Sequence, residues 1–193
     1  GSAVNSSYSG QTTLAGGITR FEGDLPVGAN SAFGNSAAPI VLTAGRDSGI
    51  PEIPLDTRLW AETDTVISRN ITVAGNGVGT IRFGSSDGIQ TVTMNGTLTL
   101  QRQLNLEFGQ AAPNVLGAVA GFNGTITGPG SLTDHAGNYS SQRLSASNNY
   151  SGGTWLRSGV WELGHDAALG SGPVIAESFS PDATTTYVGS LSA

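Results

Sequence analysis

The feature that most restricts how this chain can fold is a long-range internal repeat. The string Tyr8-Ser9-Gly10-Gln11-Thr12-Thr13-Leu14 is answered by Tyr150-Ser151-Gly152-Gly153-Thr154-Trp155-Leu156. At the same offset Gly17 answers to Gly159, Ile18 to Val160, Phe21 to Leu163 and Asp24 to Asp166. After an insertion around residues 25–28, Asn30-Ser31-Ala32-Phe33-Gly34 matches Asp166-Ala167-Ala168-Leu169-Gly170. A unit this short cannot bury its own apolar face, so stacking on neighbouring units is the route to a core.

Within each copy the side chains alternate. Thr154, Leu156, Trp161 and Leu163 fall on one side, with Trp155, Arg157 and Glu162 on the other. Thr12, Leu14, Thr19 and Phe21 take the inward positions of the first copy, and a glycine between the two short strands permits the corner. Between the copies, Asn70-Ile71-Thr72-Val73, Gly79–Phe83, Thr91–Met94, Gly96–Leu100, Leu104–Phe108, Gly124–Thr127 and Gly130–Thr133 continue the style. Strands at intervals of roughly 10 residues also suit a sandwich or an antiparallel barrel. Glycine corners in place of Asn-Gly hairpins between long strands, and a Thr/Leu/Val alternation suited to a thin core, favour the solenoid. No stretch has a sustained helical period, so the expected class is all-β, as one solenoid domain over 1–193.

Composition narrows the function classes. Only 11% of residues are charged while 37% are hydrophobic, which is the balance of a folding chain. The net charge is −6, and every basic residue is arginine, with no basic cluster; nucleic acid is not an expected partner. No run reaches the roughly 18 apolar residues of a membrane-spanning helix. Cysteine is absent, so stability must come from ladder hydrogen bonds and stacked side chains.

One stretch resembles a known family. Gly121-Phe122-Asn123-Gly124-Thr125-Ile126-Thr127-Gly128-Pro129-Gly130-Ser131-Leu132-Thr133 runs on through Leu144 to Asn148-Asn149-Tyr150-Ser151-Gly152-Gly153-Thr154. Ending at Asp166-Ala167-Ala168-Leu169-Gly170-Ser171-Gly172, it is similar to the passenger-associated repeat of bacterial autotransporters. The likeness covers about 122–174 well and about 5–42 in part, departing at Gly23-Asp24-Leu25-Pro26-Val27-Gly28. It implies a right-handed parallel β-helix, secreted or held at the bacterial cell surface. It identifies a scaffold, because passengers with such repeats include adhesins, aggregation factors, proteases and toxins.

Residues 44–64 break the pattern, with Pro51, Pro54, a concentration of charge and Trp60. They read as a non-repetitive loop, either packed on the rod or exposed as a contact surface. Trp60, Glu62 and Asp64 are the candidate contact for a host or bacterial surface glycan or protein. Glu52, Asp56, Glu62 and Asp64 are the carboxylates from which a glycan-cleaving pair could be drawn. The histidines, His135 and His165, each neighbour an aspartate, but no Gly-x-Ser-x-Gly elbow accompanies them, so they read as turn residues. Asn-x-Ser/Thr at Asn5, Asn70, Asn95, Asn123, Asn138 and Asn149 is expected by chance in this composition. No calcium loop occurs, and no catalytic, cofactor or metal residue is assigned. The repeat begins almost at the first residue, and Thr184–Leu191 is strand-like. With no cap evident at either end, either the chain is an excised fragment or the end of one subunit stacks on the start of the next. The expectation is therefore a non-catalytic extracellular rod, as an adhesin stalk or a self-associating fibre subunit. A glycan-binding or glycan-cleaving β-helix is the alternative.

Overall fold

The computed structural model describes residues 6–44, 56–85, 90–108, 118–134, 140–157 and 159–176. These are all-β, with 17 strands and no helix. The chain opens with β1 (Thr13–Ala15) and β2 (Gly17–Phe21), followed by β3 (Ile40–Thr43), β4 (Thr57–Ala61) and β5 (Thr65–Ile67). The same sequence of visits recurs in β6 (Ile71–Val73), β7 (Ile81–Ser85) and β8 (Thr91–Met94). Next come β9 (Leu98–Leu100), β10 (Leu104–Phe108) and β11 (Val119–Phe122), then β12 (Ile126–Thr127), β13 (Leu132–Asp134) and β14 (Ser141–Leu144). The series ends with β15 (Thr154–Leu156), β16 (Val160–Leu163) and β17 (Val174–Ala176).

Three sheets collect these strands. The first holds β1-β3-β6-β9-β12, the second β2-β4-β7-β10-β13-β15-β17, and the third β5-β8-β11-β14-β16. Every strand pair is parallel, and from β3 to β14 the chain passes from first sheet to second to third before returning, while β15, β16 and β17 alternate between the second and third sheets. This arrangement is consistent with a β-solenoid. Parallel strands cannot be joined by tight hairpins, and here strands of the other sheets lie between paired strands and supply the crossover.

Register turns the alternation into columns. Ile40, Ile71, Leu98 and Ile126 stack in the first sheet, and Leu59, Phe83 and Leu106 in the second. Ile67, Met94, Phe122 and Leu144 stack in the third. All belong to one apolar cluster. Phe83 sits at its centre, with its ring edge-on to Phe108 at 6.0 Å and to Phe122 at 6.4 Å. Burying each such side chain contributes about 1.5–3 kcal/mol before chain entropy is charged against it.

Corners are closed by side chains. A strand amide at the end of a ladder needs an acceptor, and a short Asp or Asn on the adjacent circuit can reach it. Asp24 Oδ1 accepts from Val66 N at 2.8 Å, and Asp56 Oδ1 from Thr80 N at 3.0 Å. Asn70 Oδ1 accepts from Thr97 N, and Asp134 Oδ1 from Arg157 N, each at 2.8 Å.

The structure corrects one expectation. The second half of the loop proposed for 44–64 is strand: Thr57–Ala61 lies between β2 and β7 in the second sheet, with Thr57, Leu59 and Ala61 buried. Arg58 and Trp60 point outward, so the charge and bulk that suggested a loop belong to the solvent side of an alternating strand. Residues 45–55 lie outside the described residues, as do 1–5 and 177–193, where the end-to-end contact was expected.

Candidate functional site

Trp60 marks the most elaborated surface, the outer face of the second sheet. One outward row aligns Ile18, Arg58, Arg82, Asn105, Thr133, Trp155 and Ile175. A second aligns Arg20, Trp60, Gly84 and Glu107. The parallel ladder places side chains of adjacent circuits about 4.8 Å apart, close enough for charges to pair along the face.

They do pair. Arg82 reaches Asp56 and Glu107, each at 3.5 Å, and Arg58 lies 3.8 Å from Asp56 and 4.0 Å from Glu107. Two guanidiniums and two carboxylates are thus linked in one network across β4, β7 and β10. Arg20 pairs with Glu62 at 3.3 Å. Exposed pairs contribute about 0–1 kcal/mol each, and a partly buried network of this kind holds its side chains more firmly than isolated pairs do.

The guanidinium carbons of Arg20 and Arg58 lie 5.3 and 5.4 Å from the Trp60 ring centroid. Such cation–π contacts stabilise by about 0.5–1 kcal/mol each at exposed sites. They also compete with any sugar for the ring. The indole Nε1 is buried and has no acceptor among the described residues.

Of the three residues singled out in the sequence, Trp60 and Glu62 meet at Arg20. Asp64 stands apart, its Oδ1 accepting the Thr91 amide at 2.7 Å as another corner acceptor. Glu52 and His135 lie outside the described residues. His165 is exposed, and its Nδ1 accepts the Ala167 amide at 3.0 Å, which fixes a turn. Sequence reasoning passed over Arg20, Arg58, Arg82 and Glu107. Their signal was their outward position in alternating strands, but their partners lie on other circuits.

Among the described residues no group of three or more His, Asp or Glu side chains could hold a metal ion. No helix there is long and apolar enough to cross a membrane. Comparison of the chain with models of known families, with curated proteins and with solved structures finds no match.

Proposed function

We propose that the chain is a stretch of right-handed parallel β-helix that works as a non-catalytic structural rod outside the cell, secreted or at a bacterial surface. In that role it is the stalk of an adhesin or a self-associating fibre subunit, as the likeness to passenger repeats implies. The observation carrying this reading is the seven-stranded parallel ladder, continuous from β2 to β17. Its outward charges are satisfied by one another rather than aimed at a shared point. A ladder of that kind resists bending, because each strand is tied to both neighbours by backbone hydrogen bonds and side-chain columns.

Electron microscopy and circular dichroism of native material test it. Rods or filaments of even width with a β spectrum are expected. A compact monomer at all concentrations with a helical spectrum would remove the proposal.

A second reading, glycan binding or cleavage at Trp60, rests on the half-exposed indole ring on the outer face of the second sheet, with the Arg20–Glu62 pair beside it. A glycan array probed with the wild type and with Trp60→Ala decides it. Binding lost in the variant supports this reading, whereas no binding, or binding unchanged by the substitution, removes it.

A further inference from the structure

The chain contains three Asn-Gly pairs, Asn76-Gly77, Asn95-Gly96 and Asn123-Gly124, and the fold treats them unequally. Such a pair can modify itself. The glycine nitrogen gives up its proton to a solvent base and attacks the asparagine Cγ. The new C–N bond closes a cyclic imide, and the side-chain nitrogen leaves as ammonia. Water then adds to either imide carbonyl, leaving aspartate or isoaspartate. The nitrogen must be free to approach Cγ, so a glycine amide held in a ladder is protected.

Two of the pairs are held. Gly96 N donates to Ile67 O and Gly124 N to Met94 O, each at 3.1 Å, while the preceding Asn95 N and Asn123 N donate to the same carbonyls at 2.8 and 2.9 Å. Their carboxamides are also engaged with each other, Asn123 Nδ2 donating to Asn95 Oδ1 at 3.1 Å. A Cβ on Gly96 would meet the backbone of Ser68 and Arg69, one on Gly124 that of Asn95 and Gly96, and one on Gly77 that of Ala44, so crowding is common to all three corners and the glycine amide hydrogen bonds are what separate them.

The third pair is different. Asn76 and Gly77 are both exposed, between β6 and β7. Gly77 N has no acceptor among the described residues, and the Asn76 carboxamide has a single contact, Oδ1 accepting from Thr43 Oγ1 at 3.2 Å.

We propose that Asn76 is a self-modification site of the native protein, converting by deamidation to aspartate and isoaspartate while Asn95 and Asn123 stay intact. The product carries a new carboxylate in the turn whose Gly77 and Gly79 carbonyls accept from Arg102 at 3.0 and 2.8 Å. A neutral corner held by a guanidinium thereby becomes a charged one.

Incubation of the intact protein at mildly alkaline pH, followed by peptide mapping with isoaspartate detection, tests this. The same protein unfolded in urea is the control. In the unfolded chain the three pairs should react at comparable rates. In the native protein Asn76 should react at least about tenfold faster than either other pair, because those must first break ladder hydrogen bonds. Native modification that is equal at the three sites, or that is faster at Asn95 or Asn123, overturns the proposal.

Discussion

The two copies of the repeat build the same local unit and set it in different sheets. In both, the tyrosine carbonyl accepts an amide from the residue after a glycine: Asn35 N to Tyr8 O at 2.7 Å, and Ser171 N to Tyr150 O at 2.9 Å. In both, a threonine hydroxyl donates to the carbonyl before that glycine, Thr12 to Phe33 at 3.5 Å and Thr154 to Leu169 at 3.2 Å. Yet β1 and β2 belong to the first and second sheets, whereas β15 and β16 belong to the second and third. Within the inserted 25–28 stretch Leu25 bridges to Ile67, so the first copy also reaches the third sheet. The repeat therefore encodes a strand, a corner and a turn, and leaves open which sheet receives them.

If the turn is the conserved part of the unit, its glycine should be the most sensitive position in both copies. Gly34 and Gly170 have φ of 75° and 71°, and a Cβ on either would collide with the carbonyl of Tyr8 or Tyr150. Gly34→Ala and Gly170→Ala should each lose about 3 kcal/mol or more in urea unfolding, from strain and displaced backbone together. Gly17→Ala sharpens the test, because its φ is 78° but a Cβ there meets nothing within 4 Å. That variant should lose only about 1 kcal/mol, the strain alone. Equal losses at Gly17 and Gly34 would show that the turn is not the critical part of the unit.

Arg69 separates the copies more sharply. In the first copy the turn carbonyls are held from behind by this fully buried arginine, whose Nη1 donates to Phe33 O at 2.7 Å and Nη2 to Ala38 O at 2.9 Å. Burial pushes its pKa below the ordinary arginine value, with Tyr8 acting in the opposite direction, but a guanidinium stays charged in a protein. In the second copy neutral groups serve instead, Asn148 Nδ2 donating to Ala168 O at 2.7 Å. Arg69→Met takes both guanidinium donors from the part-buried Ala38 carbonyl and leaves Phe33 O with only the Thr12 hydroxyl, and should lower stability by about 3 kcal/mol, against about 2 kcal/mol for Asn148→Leu. A variant within about 0.5 kcal/mol of wild type would mean that the first turn does not need its buried cation.

Much of this was legible in the sequence, and the gaps have physical causes. Of the inward set Thr154, Leu156, Trp161 and Leu163, the first three are buried and Leu163 is half-buried against the core, because facing is set by a period of two residues and needs no knowledge of partners. Trp60 was misread for want of the next level. Thr57-Arg58-Leu59-Trp60-Ala61 alternates correctly, but two prolines and a run of charge upstream suggested a loop. The ion network was hidden for a different reason. Circuit length varies, so that side-chain-to-backbone hydrogen bonds between neighbouring circuits span 22 residues at Asn148 and 42 at Asp24. Without a fixed period, neither the neighbours of Arg82 nor the buried role of Arg69 can be counted along the chain.

The last contrast, confined to alkaline pH, concerns the tyrosines that open the two copies. Tyr8 is 52% exposed and donates its hydroxyl to the nearby Gln11 carbonyl, while Tyr150 is fully buried with its hydroxyl against Thr154 Oγ1. Burial pushes the Tyr150 pKa up from 10.0 to about 12, and the bond to Thr154 opposes that rise in part. A raised folded-state pKa means that the native protein binds the phenolic proton more tightly than the unfolded chain does. The associated stability is complete below pH 10 and drains away as pH rises toward 12, because the unfolded state releases its proton first. The decline should be on the order of 2 kcal/mol across that window, measured as a shift in the urea midpoint. Tyr150→Phe should flatten the curve there, at a modest cost at neutral pH from the lost bond to Thr154, which keeps its bond to Leu169 O. A decline that persists undiminished in Tyr150→Phe would place the alkaline sensitivity elsewhere, and the burial that distinguishes the second copy would then have no part in it.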